Sequence, residues 1–245
     1  MIRLSPRLQI IYDMVPGCNT VADVGCDHGY LTIALLEGRI AANAIAMDVN
    51  KGPLESAKSN VSQAGFADEV QFRLSNGLAK LTPDEADVIC ICGMGGALIQ
   101  RILDAGLPVA KTAKALILEP QSEYKSLRQF LSTNHFSILD EELCTEEGKI
   151  YPIMKVSYTP ETTIELSEAE LEYGPVIIEK SPELLGTLLA KNKNEYTSIL
   201  EKLNKQQDLK SDSPILKRKE ELSNKLDIIR QLALKMEEGH GKSNH

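Results

Sequence analysis

The sequence predicts an α/β fold, a doubly wound sheet of seven strands followed by a C-terminal antiparallel helical hairpin. Three observations carry that prediction. Apolar runs at 21–24, 44–48, 70–74, 86–92 and 113–118 alternate with helical spacings, the pattern of a buried, mostly parallel sheet with crossover helices. The first run ends in a glycine turn that feeds a helix, which is how an open α/β sheet presents backbone N–H groups to a ligand. After Thr159-Pro160 the strand pattern fades, and from Pro182 onward apolar residues recur at spacings of four and three.

Taken in order, Ser5-Pro6 spells an N-cap followed by proline in the first helical turn. Leu8, Ile11, Tyr12 and Val15 keep helical spacing until Pro16-Gly17 ends it. This helix is expected to lie across the mouth of the first glycine turn. Arg7 falls in its first turn, and spacing alone reads it as a solvated arginine.

Val21-Ala22-Asp23-Val24 then leads into Gly25-Cys26-Asp27-His28-Gly29 and an amphipathic pattern over 31–36. Glycine suits such a turn because a Cβ would forbid the dihedrals or block a ligand's approach. A dinucleotide loop reads G-x-G-x-x-G and cradles a pyrophosphate. Here Asp27 stands where the second glycine would, and its carboxylate would repel a phosphate, so a positively charged ligand suits the loop better. Asp23-x-Gly25-x-Asp27-x-Gly29 resembles the first motif of Rossmann-like methyltransferases, whose S-adenosylmethionine carries an ammonium and a sulfonium. A tight strand–helix turn without a ligand is the alternative. The second run ends in Asp48, about 20 residues on, where an acid can accept both hydroxyls of a ribose.

Gly52-Pro53 opens a helix through Leu54, Ala57, Val61 and Ala64, stopped by Gly65. Val70-Gln71-Phe72-Arg73-Leu74 alternates as a third strand, followed by Asn76-Gly77. In the methyltransferase layout that loop lies beside the cofactor's adenine, so both are candidate adenine contacts; a plain Asn-Gly turn is the alternative. The continuous apolar run 86–92 reads as a central strand buried on both faces. It enters Gly93-Met94-Gly95-Gly96 and a helix through Leu98, Ile102 and Leu103. In the same layout this strand end flanks the transferred methyl, and the glycines let a flat substrate approach the backbone; a merely structural turn is the alternative. No Asn/Asp-Pro-Pro-Tyr/Phe follows the strand, which favours a ring nitrogen or another acceptor over an exocyclic amine.

The run 113–118 is a fifth strand, closed on the cleft side by Glu119-Pro120-Gln121. A helix follows through Tyr124, Leu127, Phe130 and Leu131. Strands at 136–140 and 150–158, joined through Glu146-Glu147-Gly148, complete the sheet as an antiparallel hairpin at its edge. Beyond it, Leu185, Leu189, Asn192, Tyr196, Ile199 and Leu203 form one helical stripe. Ile215, Lys219, Leu222, Leu226, Ile229, Ala233 and Met236 form a second, after a polar break over 208–214. The tail from Gly239 is expected to be loose.

Size and composition bound the rest. A chain of 245 residues holds one α/β domain plus an appendage, divided here as 1–160 and 161–245, and 42% hydrophobic residues suffice for a packed core. A net charge of −8 argues against a uniformly basic nucleic-acid surface. Between residues 191 and 230, however, ten Lys or Arg face seven Asp or Glu, a local +3. Lys202, Lys205, Lys210, Lys217, Arg218 and Lys219 crowd toward the hairpin tip, where a basic end suits a phosphate backbone. A solvated coiled-coil surface or a dimerisation arm accounts for the same charges. The cysteines, Cys18, Cys26, Cys90, Cys92 and Cys144, are odd in number and fit no zinc spacing, so no metal is expected. Cys90 and Cys92 read as small apolar core residues of the fourth strand. Free thiols, no signal peptide and no run near ~18 apolar residues point to the cytoplasm, with no membrane partner.

Together, Ser5-Pro6-Arg7-Leu8, Asp23-Val24-Gly25-Cys26-Asp27-His28, Asp48-Val49-Asn50-Lys51-Gly52-Pro53, Gly93-Met94-Gly95-Gly96 and the helical hairpin resemble the bacterial TrmK family. These are tRNA (adenine-N1)-methyltransferases acting on adenine 22 in the D-loop region. The resemblance covers nearly the whole chain, most specifically residues 1–158. It implies a Rossmann-like class I methyltransferase sheet, S-adenosylmethionine as methyl donor, and a coiled-coil second domain that helps a monomer grip tRNA. Donor contacts are then implied at Asp23, Gly25, Cys26, Asp27 and Gly29 of the first turn and at Asp48 and Val49. Further donor contacts fall at Asn76, Gly77, Gly93 and Met94. Gly95, Gly96, Lys202, Lys205, Lys217 and Arg218 become candidate substrate contacts, and Asp27, His28 and Arg7 candidate catalytic groups. Asp27 would stabilise the cationic product or hold the donor's ammonium, His28 would relay a proton, and Arg7 would meet a phosphate or the donor carboxylate. A methyltransferase acting on a small molecule or protein, and a non-catalytic RNA-binding Rossmann protein, are the alternatives.

Overall fold

The computed structural model describes residues 2–162, 165–205 and 214–242. The chain divides into two compact units, Met1–Leu166 and Ser167–His245.

The first unit opens with α1 (Pro6–Met14), capped by Ser5, whose side-chain oxygen accepts the Leu8 N–H. It continues through β1 (Cys18–Val24), α2 (Tyr30–Glu37), β2 (Ala41–Asp48), α3 (Lys51–Ala64), β3 (Val70–Leu74) and β4 (Val88–Met94). Next come α4 (Gly96–Ala105), α5 (Leu107–Ala110), β5 (Ala115–Pro120), α6 (Tyr124–Thr133), β6 (Phe136–Glu146) and β7 (Lys149–Tyr158). The strands form one seven-stranded sheet in the order β3-β2-β1-β4-β5-β7-β6. β1 to β5 run parallel, and β7 pairs antiparallel with both β5 and β6. The doubly wound sheet with a hairpin at its edge is therefore present.

Apolar residues on the two faces of the sheet form two core clusters. One gathers Val21, Ala44, Ala46, Cys90 and Ile117 under α1, α2 and α3. The other gathers Ala22, Ile45, Ile89, Leu116 and Leu118 under α4 and α6. Alternate residues of β1, β2, β4 and β5 are thus divided between faces that are both covered, which is why these strands read as continuous apolar runs.

Two local expectations need correction. The stretch 31–36 is not amphipathic: Leu31, Thr32, Ile33, Ala34, Leu35 and Leu36 are all buried, because α2 packs against the sheet while α1 and α3 flank it. β6 runs on to Glu146 instead of ending at Asp140, since β7 supplies partners along its whole length. A register shift between Ile138 and Asp140 absorbs Leu139, which is exposed. Glu147 and Gly148, both at positive φ, close this hairpin as a two-residue turn. Near its base, Arg128 and Glu141 form a fully buried ion pair at 2.9 Å.

The second unit begins with α7 (Glu168–Tyr173), whose capping box is spelled by Ser167 and Glu170. α8 (Pro175–Lys180), α9 (Pro182–Asn204) and α10 (Pro214–Lys242) follow. Gly186 near the start of α9 faces Met236 near the end of α10, and Lys225 lies over the Tyr196 ring at 5.4 Å, so α9 and α10 run antiparallel. Leu185 and Leu189 of α9 and Leu222, Ile229 and Leu232 of α10 are buried. Of the expected second stripe, Ala233 is only half-buried, whereas its neighbour Leu232 is buried. Lys225 reaches the Glu172 carboxylate at 2.5 Å. Of the expected break over 208–214, residues 208–213, including Lys210, lie outside the described residues and Pro214 opens α10; helical backbone extends through Lys242, past the expected start of a loose tail at Gly239.

Candidate active site

The strand order reverses between β1 and β4, and the carboxyl ends of strands diverging at such a point leave a crevice. A cleft of about 180 Å³ lies there. Its walls come from α1 (Arg7, Leu8, Ile11), the β1–α2 turn (Gly25, Cys26, Asp27, His28), Asp23, Tyr30, Leu31, Cys92, Gly93 and Glu119.

The turn's shape follows from its residues. Gly25 (φ +80°), Asp27 (φ +45°) and Gly29 (φ +72°) alternate through the left-handed region, and two of the three are glycine. The Gly25 and Cys26 N–H groups both donate to the Met47 carbonyl, at 2.8 and 3.0 Å, tying the turn to the end of β2. A Cβ on Gly25 would collide with the Met94 Cε.

Asp23 is the buried charge of the site. The Thr32 hydroxyl donates to it at 2.7 Å from the first turn of α2, and no Lys or Arg is paired with it among the described residues. Burial pushes its pKa up to about 6, with the Thr32 bonds pulling it down and Asp48 pushing it further up. A carboxylate so placed fits a cationic ligand group. Asp27 and His28 lie 3.7 Å apart at the cleft mouth but are 69% and 50% exposed, so solvent screens the Asp27 charge. The His28 ring stacks on Tyr30, centroids 5.5 Å apart.

Arg7 is not a solvated arginine. Its Nη1 reaches Glu119 Oε1 at 3.3 Å, its Nε reaches Glu146 Oε2 at 3.0 Å, and its guanidinium lies 4.9 Å over the Tyr151 ring. Glu119 is only 1% exposed and also accepts the Gly93 N–H at 2.5 Å. Burial pushes its carboxyl above the ordinary range, while Arg7 and the Gly93 N–H pull the other way.

Cys90 is fully buried, whereas Cys92 is half-buried and reaches the cleft wall, so only the first behaves purely as core. The glycines after β4 separate in role. Gly93, at φ +74°, has open space where its Cβ would stand. Gly96 is buried, and a Cβ there would collide with the Ser122 carbonyl, so helix packing accounts for it. Gly95 would crowd the Ser122 hydroxyl at 3.0 Å.

Gly29, Asp48, Val49, Asn76, Gly77 and Met94 are outside the cleft lining. Gly29 is pressed against Ala57 of α3. Asp48 ends β2; its side chain accepts the Asn50 N–H at 2.8 Å and its carbonyl accepts the Ser75 N–H at 2.8 Å. Val49 is exposed beside it. Asn76 borders a separate cavity of about 250 Å³ with Leu98, Arg101 and Ile102, and Gly77 is buried against Ile102. In the second unit, Lys202, Lys205, Lys217 and Arg218 are exposed at one end of the antiparallel pair, with Arg218 joined to Glu221 at 3.1 Å. No cluster able to hold a metal ion, and no helix long and apolar enough to cross a membrane, occurs among the described residues.

Spacing missed Thr32, Glu119 as a site group, Glu146 and Tyr151. Glu119 carried a signal, an acid ending the wholly apolar run of β5 at the sheet's carboxyl edge. Glu146 and Tyr151 carried none, because only the hairpin's position brings them to α1.

Comparison with known proteins gives a consistent answer. A family model described as tRNA (adenine(22)-N(1))-methyltransferase matches residues 21–230. The tRNA (adenine(22)-N(1))-methyltransferase of Bacillus subtilis is 30% identical over 94% of this chain and 97% of its own length. A Streptococcus pneumoniae protein solved with S-adenosyl-L-methionine superposes with a TM-score of 0.82 at 32% identity, covering 94% of this chain and 99% of that one. Mycoplasma capricolum TrmK, solved with S-adenosyl-homocysteine, gives 0.79 at 26% identity over 93% and 96% of the two chains.

Proposed function

The chain belongs to the TrmK family of tRNA (adenine(22)-N(1))-methyltransferases, and we propose that it methylates N1 of adenine 22, in the D-loop region of tRNA, with S-adenosylmethionine as donor. The observation that carries this reading is the buried carboxylate of Asp23, paired with no Lys or Arg among the described residues, beside a left-handed glycine turn and in one cleft with Gly93 and Glu119.

When bound, the donor supplies an already activated methyl group, so the protein's task is placement. Asp23 and the Gly25–Gly29 turn hold the donor's ammonium end, and Asp48 with Val49 takes its ribose. Asn76 and Gly77 border the adenine. Gly93 leaves backbone open beside the reacting centre, with Met94 next to it. Asp27 and His28 guard the mouth and hand protons to solvent, and Arg7 acts from within the cleft through Glu119. The N1 edge of adenine is paired in duplex RNA, so the target must be unpaired or turned out of its stack.

Residues 167–245 form an RNA-binding arm in this reading. Lys202, Lys205, Lys217 and Arg218 gather at one end of a coiled-coil pair, as a phosphate-tracking surface requires. With tRNA as its substrate, the enzyme works in the cytoplasm. The test is incubation with labelled donor and an unmodified tRNA transcript, followed by digestion and identification of the nucleoside by mass. N1-methyladenosine at position 22 is expected; label elsewhere, or none, rejects the reading.

A further inference from the structure

Asp27 and Glu119 both border the cleft, in opposite environments. Asp27 is 69% exposed at the mouth, whereas Glu119 is 1% exposed and fixed on two sides. Its Oε1 receives the Arg7 guanidinium and its Oε2 the Gly93 N–H. A carboxylate oxygen offers two acceptor positions, so each still has one to give. Gly93 itself has nothing within 4 Å of where a Cβ would stand, which leaves a flat ligand room beside this carboxylate.

From this arrangement we infer that Glu119 reads the acceptor base, its carboxylate accepting a hydrogen bond from the exocyclic 6-amino group of the target adenine. The inference rests on the methyltransferase reading and adds a recognition group to it.

The chemistry gives the contact a catalytic value. Adenine N1 donates its in-plane lone pair to the methyl carbon while the carbon–sulfur pair returns to sulfur. The positive charge leaves the sulfur and appears on the purine ring. The 6-amino hydrogens become stronger donors as that charge develops, so a fixed anion in front of them binds the transition state better than the ground state. No proton need leave the amine during the step. A buried anion does this better than Asp27, whose charge is largely spent on water. The same contact rejects guanine, which presents a carbonyl at position 6 and a protonated N1. Arg7 and the Gly93 N–H act as positioning groups, fixing the carboxylate and favouring its ionised form against the opposing effect of burial.

The test pairs base analogues with variants. Transcripts carrying adenine, or purine lacking the 6-amino group, at the target position are methylated by wild type, Glu119→Gln and Glu119→Ala. Donor binding is measured by calorimetry on the same proteins. A charged hydrogen bond of this kind predicts a wild-type preference for adenine of roughly 10- to 100-fold. Glu119→Gln should cut that preference several-fold and Glu119→Ala should cut it further, down to the ratio set by the lower intrinsic nucleophilicity of N1 in purine, with donor affinity within about threefold of wild type in both. Transcript affinity in the presence of S-adenosylhomocysteine should follow the same order. If Glu119→Ala does not fold, Glu119→Gln decides alone. Wild type indifferent to the 6-amino group, or variants as selective as wild type, overturns the inference and leaves the methyltransferase reading standing. Wild type that binds donor but methylates no transcript rejects both.

Discussion

The Arg7 guanidinium and the Glu119 carboxylate meet at 3.3 Å across 112 residues of sequence, joining the first helix to the carboxyl end of β5. The same guanidinium holds Glu146 on the edge hairpin at 3.0 Å. One cation thus serves two carboxylates, and its removal leaves like charges facing each other in a desolvated corner.

Arg7→Ala should therefore destabilise the first unit by roughly 1–3 kcal/mol, less than a fully buried pair because Arg7 is partly exposed. Urea denaturation at neutral pH measures it. Arg7→Lys should recover only part, since an ammonium cannot span both carboxylates with a planar fork. A variant as stable as wild type would show that the three groups do not depend on one another.

Asp23→Asn tests the buried acid. The folded protein holds this carboxyl at a pKa of about 6 against an ordinary 3.8, so it keeps its proton to higher pH than the unfolded chain. The resulting stabilisation is complete below about pH 4, fades as pH rises through 6, and is absent above. An asparagine still accepts the Thr32 hydroxyl but carries no charge. The variant should match wild type near pH 4 and exceed it by roughly 2–3 kcal/mol at pH 8, read from melting curves across pH. Its affinity for S-adenosylmethionine should fall at least tenfold, because the ammonium loses its counter-charge. Unchanged donor affinity would remove Asp23 from the donor site.

Gly25 and Gly96 should fail differently when changed to alanine. At Gly25 the φ of +80° strains any Cβ, but the clashing atom is the movable end of Met94. Gly25→Ala should fold with a loss of about 1–2 kcal/mol and bind donor poorly. At Gly96 the obstacle is the Ser122 backbone carbonyl, which cannot turn aside. Gly96→Ala should lower the melting temperature further than Gly25→Ala, because β4–α4 must separate from the β5–α6 loop. Differential scanning calorimetry with and without donor separates the two effects.

Replacing Lys202, Lys205, Lys217 and Arg218 together by alanine should weaken tRNA binding. Its salt dependence should flatten by just under one slope unit for every phosphate that these side chains no longer neutralise. Donor calorimetry should be unaffected. Filter binding over a range of salt concentrations gives the slope, and an unchanged slope would take the hairpin out of substrate binding.

Much of this protein is legible in its sequence. The apolar runs became β1 to β5 because both faces of the sheet are covered, which makes burial visible as composition. Asp23, Gly25, Asp27 and His28 stand out because one turn holds them together. The stretch 31–36 misleads for the converse reason: α1 and α3 bury a face of α2 that would otherwise be wet.

By itself the sequence determined where the five parallel strands and the main crossover helices lie, where the sheet carries its glycine turns, and that Asp23 and Asp27 flank the first of them. Only the tertiary structure decided that Arg7, Gly93, Glu119 and Glu146 share one corner, that Gly96 serves packing, and that Asn76 borders a different cavity from Gly25. Periodicity records how deeply each segment is buried, a property of neighbours in the chain. Which segment ends meet depends on strand order and on the length of β6, and those are settled by pairing between distant residues that no local pattern encodes.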